Sequence, residues 1–77
     1  MKIIFSDHAS LKIKERKLSK SFVLKTVQVP DLVRPSRRLR EERYKRFGKN
    51  WLKVIIIKEH ATTVILTAHW VAKIKED

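Results

Sequence analysis

Two apolar runs near the end of the chain constrain its fold most. Trp51 to Lys58 contains Val54-Ile55-Ile56-Ile57, and Thr63 to Val71 is rich in β-branched and aromatic residues. Branching at Cβ restricts χ1 and suits a pleated, extended backbone better than a helix. Only the short turn Glu59 to Thr62 separates the runs, which makes them antiparallel neighbours. Their apolar residues are continuous rather than alternating, so both strands are expected to be central and at least partly buried on both faces. A further strand over 38–47 precedes them across Gly48-Lys49-Asn50, where Gly and Asn tolerate positive φ. The second half therefore reads as an antiparallel meander.

The first half has a different period. Residues 2–5 read as a short strand, after which Ser6 or Asp7 can cap a helix by accepting orphan N–H groups of its first turn. A helix over about 8–17 puts Ala9 and Ile13 on one face, with Leu18 folded back over it. Ser19 is a second cap, for a helix running to about 28 with Phe22, Val23 and Val27 as its apolar side. Pro30 disfavours helical geometry at Val29 and helps end it. A helical hairpin is expected, then an extended piece over 31–34 before Pro35. The polar tail 72–77 is expected to fray or to extend the last strand. The expected class is α+β: a short first strand, then a helical hairpin packed on a three- to four-stranded antiparallel sheet.

Length and composition set the outer bounds. Seventy-seven residues make one domain, over 1–77. A chain this short buries roughly 60% of its unfolded surface, so stability is thin. With no cysteine there is neither a disulfide nor a thiolate metal site. The opening Met-Lys-Ile-Ile-Phe-Ser-Asp has no long apolar run and no cleavage pattern, so a cytoplasmic protein without membrane attachment is expected. Nineteen Lys and Arg against eight Asp and Glu give +11, a charge that speaks to partners rather than to fold. Nucleic acid is the first expected partner and an acidic protein the second.

The charge is concentrated. From 34 to 49 stand Arg34, Arg37, Arg38, Arg40, Arg43, Lys45, Arg46 and Lys49 against Glu41 and Glu42. Guanidinium offers phosphate a planar bidentate fork that ammonium lacks. Strand alternation puts Arg38, Arg40, Tyr44 and Arg46 on one side, with Arg37, Arg43 and Lys45 on the other. Arginine beside Tyr44 and Phe47 suits a surface that grips phosphates and stacks bases. The competing reading is a solvated edge strand, charged against aggregation.

His8, at the start of the first helix, and His69, late in the last strand, titrate near neutrality and can transfer protons. His60 falls in a turn and reads as solvated. There is no carboxylate cluster of the kind a Mg²⁺ nuclease uses, no phosphate-cradling glycine loop and no zinc spacing. A nuclease built from this chain is expected to need no metal or other cofactor. Such an enzyme uses the 2′-hydroxyl of RNA as nucleophile, and needs only to position phosphate, move protons and stabilise charge.

Five stretches carry a resemblance: FSDHA, LKIKERKLS, VPD, WLKVIIIKE and VILTAHWVAKIK, in that order over nearly the whole chain. The chain resembles small prokaryotic proteins related to the RelE/BrnT toxin superfamily. His8, Ala9, Arg16, Leu18, Pro30, Asp31, Thr67 and Ala68 stand at the positions of that pattern. The pattern has a glycine after Arg16, where a left-handed cap is needed; here Lys17 stands instead, so a different helix end is expected. The resemblance implies a RelE-like single domain, a toxin that cleaves mRNA, in some members only on the ribosome, and a small, often acidic antitoxin.

The expected site follows. Arg16 and Arg43 would hold the scissile phosphate, and His69 or His8 would transfer the proton. Tyr44 would stack on a base or donate a proton, and Lys53 and Lys73 would hold flanking phosphates alongside Arg37, Arg38, Arg40, Lys45 and Arg46. Two rivals are a basic module that binds nucleic acid without cutting it and one that docks only an acidic protein.

Overall fold

A computed structural model describes residues 2–74. The elements are β1 (Lys2–Phe5), α1 (Asp7–Glu15), α2 (Lys20–Gln28), β2 (Leu32–Pro35), β3 (Arg40–Phe47), β4 (Asn50–Glu59) and β5 (Thr62–Val71). The class is α+β, as expected, but the sheet has five strands and is mixed. Its order is β1-β5-β4-β3-β2. The expected meander is β3-β4-β5. Leu32–Pro35 joins β3 antiparallel, and Lys2–Phe5 joins β5 parallel. The fifth strand arises because β1 gives Thr62–Ile65 a partner on the side away from β4. The sheet is open, with β1 and β2 at its edges.

Both helices lie on the same face of this sheet, α1 against β5 and β1, α2 against β4 and β3. Each begins on a serine whose hydroxyl oxygen accepts a backbone N–H, Ser6 from Ala9 at 3.0 Å and Ser19 from Phe22 at 3.3 Å. The choice left open between Ser6 and Asp7 is thus resolved for Ser6. Ala9, Ile13, Leu18, Val23 and Val27 pack on Leu52, Val54, Ile56, Ile65 and Ala68, forming the hydrophobic core. At Phe22 the helix side ends in an aromatic stack, its ring 4.3 Å from Phe47 and edge-on to Trp70. No helix among the described residues is long and apolar enough to cross a membrane.

The end of α1 departs from expectation. Lys17 adopts the left-handed conformation, φ +53°, that its side chain made unexpected. Its N–H donates to the Lys14 carbonyl at 3.2 Å, and the Leu18 N–H donates to Ile13 at 2.9 Å. These two bonds form a Schellman cap, sealed by Ile13 and Leu18 in the core. The cap is kept and lysine bears its steric cost, ~1–2 kcal/mol for an L-residue in this region.

Two further boundaries move. Arg37 and Arg38 are not in β3: Arg38 and Leu39 have φ of +56° and +63°, and the Arg40 N–H donates to Arg37 at 3.2 Å. Those residues make the reverse turn between β2 and β3, because an antiparallel pair must turn before it can pair. Past Val71 the chain leaves the strand rather than extending it, and Lys73 and Ile74 come over Tyr44. Residues 75–77 of the expected tail lie outside the described residues.

Glycine at position 17 relieves the strain at a smaller cost in unfolded-chain entropy. Lys17→Gly should raise the thermal midpoint by roughly 4–8 °C for a gain of ~1 kcal/mol. A midpoint unchanged or lowered in calorimetry contradicts a strained cap.

Candidate functional site

The candidate site lies on the sheet face away from the helices. Residues directly opposed across strands share a face, so the pairing assigns sides. Leu52, Val54 and Ile56 point at the helices, and Trp51, Lys53, Ile55 and Ile57 point away. Opposite these last four stand Val71, His69, Thr67 and Val64 on β5, and Arg46, Tyr44, Glu42 and Arg40 on β3. Arg34, opposite Glu42, extends the face onto β2. The open face thus mixes aromatic, aliphatic and cationic side chains.

His69 reaches that face through an irregularity. Ile55 pairs with Thr67 but Ile56 pairs with Ile65, leaving Leu66 as a bulge in β5. A single-residue bulge shifts the alternation of everything after it. Without it, Thr67 would share Ile65's side and face the helices, Ala68 would face outward, and His69 would turn to the helix side. With it, Ala68 enters the core and His69 stands opposite Lys53.

Arg16 completes the cluster. Past Phe5 the outer side of β5 runs along α1, and Arg16 Nη1 donates to the Ala68 carbonyl at 2.7 Å and to Thr67 Oγ1 at 3.4 Å. Its charge and that of Lys53 both act on His69. Lys53 also lies 3.7 Å from Glu42. Half-burial pushes the His69 imidazole below its ordinary 6.5, and Lys53 and then Arg16 push it further, against a smaller opposing effect of Glu42. The imidazole is therefore neutral at pH 7, with two cations beside it.

Two concavities open on this face. One, of about 300 Å³, has Tyr44 as a wall and is bordered by Arg34, Glu42, Lys53 and Lys73. The other, of about 410 Å³, lies between Ser6, His8, Arg40, Ile55, Leu66 and Thr67. His8 is therefore beside the second concavity and exposed.

Other expected site residues are placed otherwise. Arg43 faces the helices, where Nε meets Glu41 Oε1 at 2.7 Å and Nη1 donates to the Val27 carbonyl. It ties α2's C-terminal end to the sheet and is not available to a phosphate on the open face. The same alternation sends Lys45 to the Val29 carbonyl at 2.9 Å and to Asp31 at 3.7 Å. Tyr44 is on the open face but buried, its hydroxyl donating to Glu42 at 2.8 Å. Burial, then that bond and the Glu42 charge, push it up to about 12, so it keeps its proton. Arg34 and Lys53 sit against its ring at 5.9 and 5.8 Å, so it supports cations rather than offering a bare stacking surface. Arg37 and Arg38 sit at the exposed tip of the β2–β3 turn, while Arg40 and Arg46 remain on the face. Arg46 Nε is held by the Gly48 carbonyl at 3.0 Å.

Sequence reasoning missed Glu42, Thr67, Ile55 and Leu66. Glu42 was findable, since it shares strand parity with Arg40 and Tyr44. Nothing in the sequence marked the bulge that places Leu66 and Thr67. Compared with family models, with curated proteins and with solved structures, the chain matches none.

Because the folded His69 pKa is lowered, its stabilising contribution is complete above 6.5 and is lost as pH falls from 6.5 through the folded value. In an NMR pH titration, His69 should titrate below 6.5 and move upward in Lys53→Met. A wild-type value at or above 6.5 contradicts a cationic cluster around it.

Proposed function

We propose that this chain is a metal-independent endoribonuclease that holds single-stranded RNA on its open sheet face. The observation that carries the reading is the His69–Lys53–Arg16 cluster on a face that neither helix covers. A neutral imidazole is a competent proton acceptor near pH 7, and the adjacent cations suit an anion with charge developing on its oxygens.

In this reading Arg16 and Lys53 hold the non-bridging oxygens of one phosphodiester. His69 takes the proton of the neighbouring 2′-hydroxyl. The 2′-oxygen bonds to phosphorus, the bond to the 5′-oxygen breaks, and that oxygen takes a proton from water. The products are a 2′,3′-cyclic phosphate and a 5′-hydroxyl. Arg34, Arg40, Arg46 and Lys73 are left to flanking phosphates. Arg43 and Tyr44 have no direct part.

The resemblance in sequence supports a RelE-like fold and a toxin of a type II toxin-antitoxin pair, acting on mRNA in the cytoplasm. An acidic antitoxin would cover the same face and compete with RNA. One observation favours the rival, an RNA-binding module without cleavage: three of the five residues expected to be catalytic, Arg16, Arg43 and Tyr44, make structural hydrogen bonds.

Cleavage separates the readings. With chelator present, purified protein should cut mRNA to fragments ending in 2′,3′-cyclic phosphate, and His69→Ala should lower the rate by about 10²–10⁴-fold. Expression of the wild type should halt growth. Intact RNA in both the purified reaction and the induced cells, with salt-sensitive binding that His69→Ala leaves unchanged, establishes the rival instead.

A further inference from the structure

We infer that the concavity between His8, Arg40, Ile55, Leu66 and Thr67 is a subsite for one unpaired nucleobase, and that it sets which RNA this face accepts. The inference rests on the reading of the face as an RNA surface and adds where a base goes.

The two concavities differ in chemistry. The one at Tyr44 is bordered by Arg34, Lys53 and Lys73, and suits phosphate. The other has Ile55 and Leu66 on its walls, with the hydroxyls of Ser6 and Thr67, the imidazole of His8 and the guanidinium of Arg40 around them. Apolar walls with a few polar groups match a heteroaromatic base, which has apolar faces and a hydrogen-bonding edge. Its volume, about 410 Å³, lies within the range of ligand pockets.

Position ties it to the cluster. Ile55 and Thr67 are opposed across β4 and β5, as are Lys53 and His69 two residues along each strand. Two residues of strand advance about 7 Å, a distance that the sugar between a phosphate and its base can span. Thr67 belongs to both places, bordering the concavity and accepting from Arg16. The bulge at Leu66 is what turns two successive side chains, Leu66 and Thr67, toward the same space. A duplex keeps its bases stacked and paired inside, so the subsite admits only a splayed, single-stranded base.

The test uses 2′-O-methyl hexanucleotides, which resist cleavage, as four homopolymers and as an abasic hexamer of equal charge. Fluorescence anisotropy reads binding to the full chain. At least one homopolymer should bind about tenfold tighter than the abasic hexamer, the scale of one stacked base. Ile55→Asn, and separately Leu66→Asn, should cut that gain to within twofold and leave abasic binding unchanged, with folding checked by circular dichroism. Equal binding of abasic and base-bearing hexamers overturns the subsite while leaving an RNA surface. Retention of the tenfold gain in both folded variants also overturns it. Absence of binding by every hexamer overturns the subsite together with the RNA reading beneath it.

Discussion

Packing both helices on one face of the sheet is the constraint on which the rest of this structure depends. The small core needs Ala9, Ile13, Leu18, Val23 and Val27 against the inward side chains of β4 and β5. Among the described residues no further helix or strand lies on the opposite face. That face must be compatible with water, yet strand propensity still calls for branched and aromatic residues. The outcome is a surface that alternates Trp51, Ile55, Ile57 and Val71 with Lys53, Arg34, Arg40 and Arg46. Such a surface offers both apolar contact and positive charge, which is what single-stranded nucleic acid presents a demand for.

Within that face, charge is arranged by strand parity. The arginine-rich strand divides its cations between the two sides. Arg43 and Lys45 go to the helix side and answer the carbonyls of Val27 and Val29, groups that α2's end leaves without helical partners. Arg40 and Arg46 stay outside. On the neighbouring pair the bulge in β5 brings His69 opposite Lys53, and Arg16 arrives from the end of α1 to bond the Ala68 carbonyl. The β4–β5 hairpin and the end of α1, distant from it in sequence, therefore meet around one imidazole. Burial and like charge both oppose its protonation, the condition for a base rather than a cation at pH 7.

Much of the fold was legible in the sequence because it rests on local signals. Ser6 and Ser19 marked the helix starts, and Val54–Ile57 with Thr63–Val71 marked the central strands. The edge strands were harder. Lys2–Phe5 has no local feature that distinguishes a parallel partner for β5 from a free strand, and pairing of that kind is decided only in the assembled sheet. At the site, His69 and Arg16 were readable as candidates from residue type, but their meeting depends on a bulge with no sequence mark. The contacts of Arg43 and Tyr44 were not legible for a different reason. Their composition suits phosphate and base, yet Arg43 is drawn inward by Glu41 and Val27, and Tyr44 is drawn to Glu42. Residue type names what a side chain can do, and parity decides to whom it does it.

The isoleucines allow a direct test of the claim that the open face is the binding face. Ile4, Ile55 and Ile57 point outward, while Ile13, Ile56 and Ile65 lie in the core under the helices. In methyl-labelled protein titrated with a single-stranded oligoribonucleotide, the Ile55 and Ile57 signals should shift with saturation while those of Ile13, Ile56 and Ile65 stay in place. Shifts confined to the core isoleucines, or no shift at any of them at saturating RNA, would contradict the account.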